Sequence, residues 1–344
     1  MSKKFDIVIG NPPYQEEATG SATHQMPIYH RFMEAAYEIG HKAVLITPAR
    51  FLFNAGYTPK AWNQQMLNDP RLVVSHYAPN SDKLFPGTDI KAGVAVTYWD
   101  EARNGDPIGT FTRYPMLHSI LYKVTASQPQ PLSPLITSSR SYRYTATMHE
   151  HHPDAAATMS VGEQFKINTR TFELLPFIYH EDRPSDSEHY VRVLGLIKNK
   201  RLIKWIRAAF VVGPANFDQY KVVLAKANGT GAFGETLATP IVVGPGVAIT
   251  QSFITVGGFD HEVEAEACLT YIKTKFARTL LGVLKVTQDN PAKVWKHVPV
   301  QDFSPSSDID WSKTVPEIDQ QLYAKYGLDT DEIAFIEDNV KPME

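Results

Sequence analysis

The run Phe5-Asp6-Ile7-Val8-Ile9-Gly10 has the length and apolar character of a single strand, and Asn11-Pro12-Pro13-Tyr14 follows it at once. Proline lacks the N–H that a ladder or a helix needs and fixes φ, so neither strand nor helix continues through two of them. The chain must leave a sheet at Gly10 and present an amide, two prolines and an aromatic ring in a stiff loop. Strand and helix signals then alternate. Pro27 opens a helix through Ile39, with Ile28, Phe32, Ala35, Ala36 and Ile39 at helical spacing and Gly40 as its stop. Lys42 to Thr47 reads as a second strand, Pro59 opens a helix toward Leu67, and Leu72 to Tyr77 is a third strand. The turn Phe85-Pro86-Gly87 leads to Gly93 to Trp99, whose alternation suits an edge or antiparallel strand. This order predicts an α/β sheet covered by helices, with ligands at the carboxyl ends of its parallel strands.

At 344 residues the chain has room for two domains, or one with a large insertion. With 43% hydrophobic and 21% charged residues it has the composition of a globular protein, which excludes disorder, collagen and coiled coil. No run approaches the ~18 apolar residues of a membrane span. Met1 to Lys4 give no apolar leader and Cys268 has no internal partner, so a cytoplasmic location is expected. The net charge of −3 hides an uneven distribution. Residues 191–226 and 273–296 are basic, and residues 301–344 are acidic. Gln128 to Pro134 reads as an extended connector. From Tyr142 to Phe259 short strands are expected, in an extended background that includes His149 to His152. Glu262 to Leu284 reads as one long helix, and two shorter helices are expected near Ser312 to Lys325 and Asp329 to Val340.

The Asn11 loop suits a planar ring that carries an amino group. The Asn11 side-chain carbonyl and the Pro12 main-chain carbonyl can both accept hydrogen bonds from such a group, and Tyr14 offers a stacking face. Drawing both amino hydrogens into acceptors directs the nitrogen lone pair toward a methyl electrophile. These residues resemble the catalytic Asn/Asp-Pro-Pro-Tyr/Phe tetrapeptide of the adenine-specific DNA methyltransferases, of the large restriction-modification kind. The resemblance continues through Ile46-Thr47-Pro48-Ala49-Arg50-Phe51 and through Leu84-Phe85-Pro86-Gly87 with Asp89-Ile90-Lys91-Ala92-Gly93-Val94. It implies catalytic roles for Asn11, Pro12, Pro13 and Tyr14, and base stacking by Tyr14 and Phe85. Relatives carry a double glycine where this chain has Ala92-Gly93, which bears on the tightness of that turn. Segments at Lys221 to Val223, Thr250 to Phe259, Tyr271 to Phe276, Val298-Pro299 and Ile309 to Tyr323 are similar to the recognition portion of such enzymes.

The resemblance implies a partial Rossmann-like methyltransferase sheet over residues 1–127, an α+β DNA target-recognition domain over 128–300, and an acidic helical tail over 301–344. It implies S-adenosylmethionine as methyl donor and double-stranded DNA as substrate, with the adenine flipped out of the duplex. Lys198, Lys200, Arg201, Lys204 and Arg207 are the expected DNA-binding cations. The half-sheet that would bind the donor precedes the tetrapeptide in relatives and is expected to be absent here. The Asn228 to Gly234 loop is the other candidate for it, but Pro240, Gly244, Pro245 and Gly246 leave no helix behind that loop. A separate donor-binding polypeptide or self-association is therefore expected, and a non-catalytic DNA-binding module or truncated remnant is the alternative. The His149, Glu150, His151, His152 run is read as surface rather than as a metal site. Asp82, Asp89 and Lys91 only loosely imitate a nuclease core.

Overall fold

The computed structural model describes residues 4–16 and 26–343. Intrachain contacts group the chain into two compact units, Met1–His118 and Ser119–Glu344. The first contains β1 (Phe5–Gly10), α1 (Tyr29–Ile39), β2 (Gly40–Pro48), α2 (Lys60–Asn68), β3 (Leu72–Ala78) and β4 (Val94–Asp100). These strands form one sheet in the order β1-β2-β4-β3. β1 runs parallel to β2, in a register that sets Phe5 opposite Gly40 and Gly10 opposite Leu45, and β4 runs antiparallel to both β2 and β3. β4 is thus an interior strand. β1 lies at the edge of the sheet with Phe5, Ile7 and Ile9 exposed, Ile9 by 73%.

The turn into β4, beside the carboxyl end of β2, is set by backbone constraints. Gly93 has φ +74°, and a Cβ there would lie 2.1 Å from the Ala78 carbonyl oxygen, so only glycine fits. Ala92 also adopts the left-handed region, with φ +67°. The turn keeps its tight form without a double glycine, at the steric cost that an L side chain meets there. Ala92→Gly is therefore expected to raise the stability of the first unit by about 0.5–1 kcal/mol. Urea unfolding at unchanged m-value would register this, and a loss of stability would show that the turn is not held as described.

The division between the units falls inside α3 (Pro115–Ala126). From Ser119 onward this helix is tied to the second unit. Ser119 Oγ donates to the fully buried Glu332, and Lys123 forms ion pairs with Glu332 and Asp329 at 2.6 and 2.9 Å. The strands of that unit are β5 (Ile136–Ser138), β6 (Arg143–Tyr144), β7 (Tyr190–Ile197), β8 (Lys200–Arg207), β9 (Val211–Val212), β10 (Tyr220–Ala225), β11 (Ile241–Val243), β12 (Val247–Ile249) and β13 (Phe253–Phe259). They form sheets ordered β11-β10-β13-β5, β12-β7-β8 and β6-β9. Between and beside them lie α4 (Ala146–His151), α5 (Thr171–Leu174), α6 (Glu262–Lys273), α7 (Lys275–Leu284), α8 (Val315–Lys325) and α9 (Thr330–Asn339). The acidic segment packs within this unit. Asp329 caps α9 in a reciprocal pair with Glu332.

Two expectations are corrected. The long helix over 262–284 is two helices. Thr274 leaves the helical region, its hydroxyl donates to the Tyr271 carbonyl and accepts from the Ala277 N–H, and the buried Asp319 carboxylate accepts the first N–H groups of α7 from Lys275 and Phe276. His149 to His151 lie in α4 rather than in an extended segment. Thr145 caps this helix at the Met148 N–H.

Candidate functional site

β1 and β2 end side by side, and their carboxyl ends carry the loop Asn11 to Tyr14 and the short 3-10 helix Ala49–Phe53. Beyond the prolines the chain doubles back on the segment before α1. Gln15 pairs with Pro27, and the Ile28 N–H donates to the Tyr14 carbonyl at 3.2 Å. Asn11 and Pro13 are exposed, and Pro12 and Tyr14 are half-buried. The Asn11 amide is thus presented to solvent at the end of a parallel pair, while the Tyr14 ring faces inward.

Tyr14 lines a cavity of about 180 Å³ together with Gln15, Pro27, Tyr29, Pro48, Arg50, Gly56, Tyr57, Asp89 and Ile90. Pockets for drug-sized ligands span ~300–1,000 Å³, so this one suits a single small ring system. Its far wall is fastened to β2. The Ala49 N–H donates to the Gly93 carbonyl at 3.0 Å, and Arg50 Nε donates to the Lys91 carbonyl at 3.1 Å. The Tyr14 hydroxyl is buried beside the Asn11 side chain without a well-formed hydrogen bond to it or to any other described residue. Burial raises its pKa, and the neighbouring Asn11 amide offsets part of that rise. A buried hydroxyl whose bonding is incomplete among the described residues, on a side chain that lines a cavity, is a group to which a ligand can bond.

Asn11, Pro12 and Pro13 sit at the loop and do not line the cavity; of the tetrapeptide only Tyr14 does. Phe85 is half-buried in a turn held by its own bonds, from the Phe85 N–H to the Ser81 carbonyl and from Thr88 to the Phe85 carbonyl. It is not among the lining residues, whereas Tyr57, which the sequence reading does not single out, is. Loop aromatics give no periodic signal, so nothing in the pattern marks Tyr57. Asp82 accepts the Gly87 N–H and Asp89 pairs with Lys91 at 2.6 Å, two separate local bonds. His149 Nε2 lies 2.9 Å from the Gln164 carbonyl, and the His151 and His152 rings pack against Phe210. Among the described residues no group of three or more His, Cys, Asp or Glu side chains is placed to hold a metal ion.

In the second unit the Asn228 to Gly234 loop is filled by the chain itself. The N–H groups of Thr230 and Gly231 donate to the Glu235 carboxylate, and Lys285 Nζ pairs with the same carboxylate at 2.6 Å. No helix starts from the loop. With Thr230 and Gly231 committed to Glu235 and no helix behind it, the loop does not have the form of a methyl-donor site. The five expected DNA-binding cations all lie on or beside the β7–β8 hairpin, in two different states. Arg201 donates to the Ala238 and Thr239 carbonyls, Lys204 pairs with Glu181 at 2.6 Å, and Arg207 lies 3.5 Å from Glu188. Lys198 and Lys200 are exposed.

Residues 1–85 match the family model described as Eco57I restriction-modification methylase. No curated protein matches the chain. Among solved structures, the chain is similar to the type IIG restriction endonuclease BpuSI at 10% identity and TM-score 0.35, over 97% of this chain and 52% of that one. It is also similar to the ATP-dependent Type ISP restriction-modification enzyme LlaBIII bound to DNA, at 10% identity and TM-score 0.32, over 83% of this chain and 28% of that one. The chain thus spans about half of the first and under a third of the second. Its N-terminal part carries a restriction-modification methylase domain match, and no described helix is long and apolar enough to cross a membrane.

Proposed function

We propose that this chain is the catalytic and target-recognition portion of a site-specific DNA adenine methyltransferase of a restriction-modification system. The supporting observation is the Asn11 to Tyr14 loop at the carboxyl end of the parallel β1–β2 pair, with Tyr14 lining a ring-sized cavity. The methylase match over residues 1–85 points the same way. DNA lies on the second unit, and the target adenine leaves the stack because its amino group is out of reach within it. The Asn11 side-chain carbonyl and the Pro12 carbonyl accept the two amino hydrogens, and Pro13 holds them rigidly. Tyr14 stacks on one face of the base, worth ~1–3 kcal/mol. Phe85 is proposed for the other face, and Tyr57, on the cavity wall, is the competing aromatic.

S-adenosylmethionine supplies the methyl group; the Asn228 to Gly234 loop, whose Thr230 and Gly231 N–H groups bond to Glu235, is not the place for it, and a donor-binding partner polypeptide is proposed. The exposed apolar face of β1 is a surface on which such a partner, or a second copy, can dock. The alternative reading, a DNA-binding module without catalysis, is favoured by one observation, the self-filled loop at Glu235. Calorimetric titration of S-adenosylmethionine into the folded chain, alone and with duplex DNA, tests the split. No saturable donor binding together with measurable DNA binding is expected, and donor binding by the chain alone would overturn the need for a second polypeptide.

A further inference from the structure

The β7–β8 hairpin is two strands of eight residues paired from Tyr190–Arg207 to Ile197–Lys200, with a two-residue turn at Lys198-Asn199. Both turn residues have positive φ, 48° and 62°, as the turn that matches strand twist requires. The hairpin is held along its length: β12 pairs with Arg192 to Leu194, and Leu196 and Ile197, next to the turn, pack on the core. Arg201 clamps the next pair to the loop at Ala238 and Thr239. The charges at the base are compensated within the chain, by Glu181 for Lys204 and by Glu188 for Arg207. Lys198, Asn199 and Lys200 are exposed at the tip, and among the described residues no ion pair or hydrogen bond engages their side chains.

We propose that this tip enters the major groove of duplex DNA, with Lys198 and Lys200 on phosphates and Asn199 on a base edge. The inference rests on the reading of the chain as a DNA methyltransferase portion and names the element that reads the sequence. The major groove is ~12 Å wide, and a turn joining strands ~4.8 Å apart is narrow enough for its side chains to reach into it. Asparagine can bond bidentately to an adenine edge in that groove, and lysines beside it neutralise backbone charge. A rigid base matters because a mobile tip would lose in ordering what it gained in contacts.

The test is a salt titration of binding by the full chain to labelled random-sequence DNA duplexes. Lys198→Ala and Lys200→Ala are each expected to lower the log–log salt slope by about one. Lys204→Met and Arg207→Met are expected to leave it unchanged. Asn199→Ala is expected to keep the affinity for random DNA but to lose ~5- to 150-fold of discrimination among duplexes enriched from a randomised pool. Duplex RNA, whose major groove is too deep and narrow for side chains to read, serves as the control. DNA binding with a slope untouched by the tip variants would overturn this placement and leave the proposed function standing. Equal effects of Asn199→Ala on RNA would reduce the tip to a polyanion contact and overturn base readout. Absence of DNA binding by the wild-type chain would overturn both readings.

Discussion

Asn11→Ala is expected to lower methyl transfer at least ~100-fold when the chain is supplied with a donor-binding half, and to leave duplex DNA affinity within about twofold. The magnitude is that of removing one positioned hydrogen-bonding group from a reaction centre, on the order of 3 kcal/mol. Asn11 is exposed at the end of β1 and contributes no apolar burial, so the substitution spares the fold. Asn11→Asp retains an acceptor at the same place and should recover part of the activity, which a purely structural role would not explain. Single-turnover rates measured beside anisotropy-based DNA affinities separate the two effects. Full activity in Asn11→Ala would remove the loop from the chemistry and favour a non-catalytic DNA-binding module.

The largest stability effect is expected at Lys285. Its side chain is 4% exposed and its ammonium donates to Asn228 and Thr287 carbonyls as well as to Glu235, whose side chain is 16% exposed. Burial alone would raise the Glu235 pKa, but Lys285 and the Thr230 and Gly231 N–H groups more than offset it and hold the carboxyl below its ordinary 4.5. Lys285→Met leaves that carboxylate in place without its cation, which costs on the order of 3 kcal/mol, nearer the lower end because Glu235 keeps some contact with water. Against a typical total of 5–15 kcal/mol, this is enough to lower the midpoint of thermal unfolding by several degrees. The pH dependence follows the same logic. A carboxyl whose folded pKa is depressed contributes stability above about pH 4.5 and loses it as pH falls through the folded value. The wild-type chain should therefore lose stability on that acid limb, and Lys285→Met should lose less. The double variant Lys285→Met with Glu235→Gln should recover part of the loss, since no buried charge is then left alone. A single variant as stable as wild type would show that this pair does not hold the loop.

Much of the first unit was readable because its signals are local. Phe5 to Gly10 ends where two prolines forbid continuation, and the observed strand has those bounds. Helix α2 starts behind Pro59, as the fixed φ of proline favours. The position of β4 inside the sheet was not readable, because strand order depends on pairing across the chain rather than on alternation along it. The break between α6 and α7 was hidden for a related reason. Thr274 is an ordinary helix residue until Asp319, far away in sequence, accepts the N–H groups of a new helix start. At the candidate site, the tetrapeptide declared itself through residue types. The separation of Lys198 and Lys200 from Arg201, Lys204 and Arg207 did not, since a run of cations looks uniform until Glu181, Glu188 and two carbonyls are folded against part of it.

The most direct measurement is the identity of the modified nucleoside. DNA exposed to the chain together with a donor-binding half and S-adenosylmethionine would be digested and analysed by mass spectrometry, with Asn11→Ala in parallel. N6-methyldeoxyadenosine in the wild-type sample and its loss in the variant are the expected result. A methyl group on cytosine, or equal adenine methylation with Asn11→Ala, would contradict the assignment of this loop to adenine methylation.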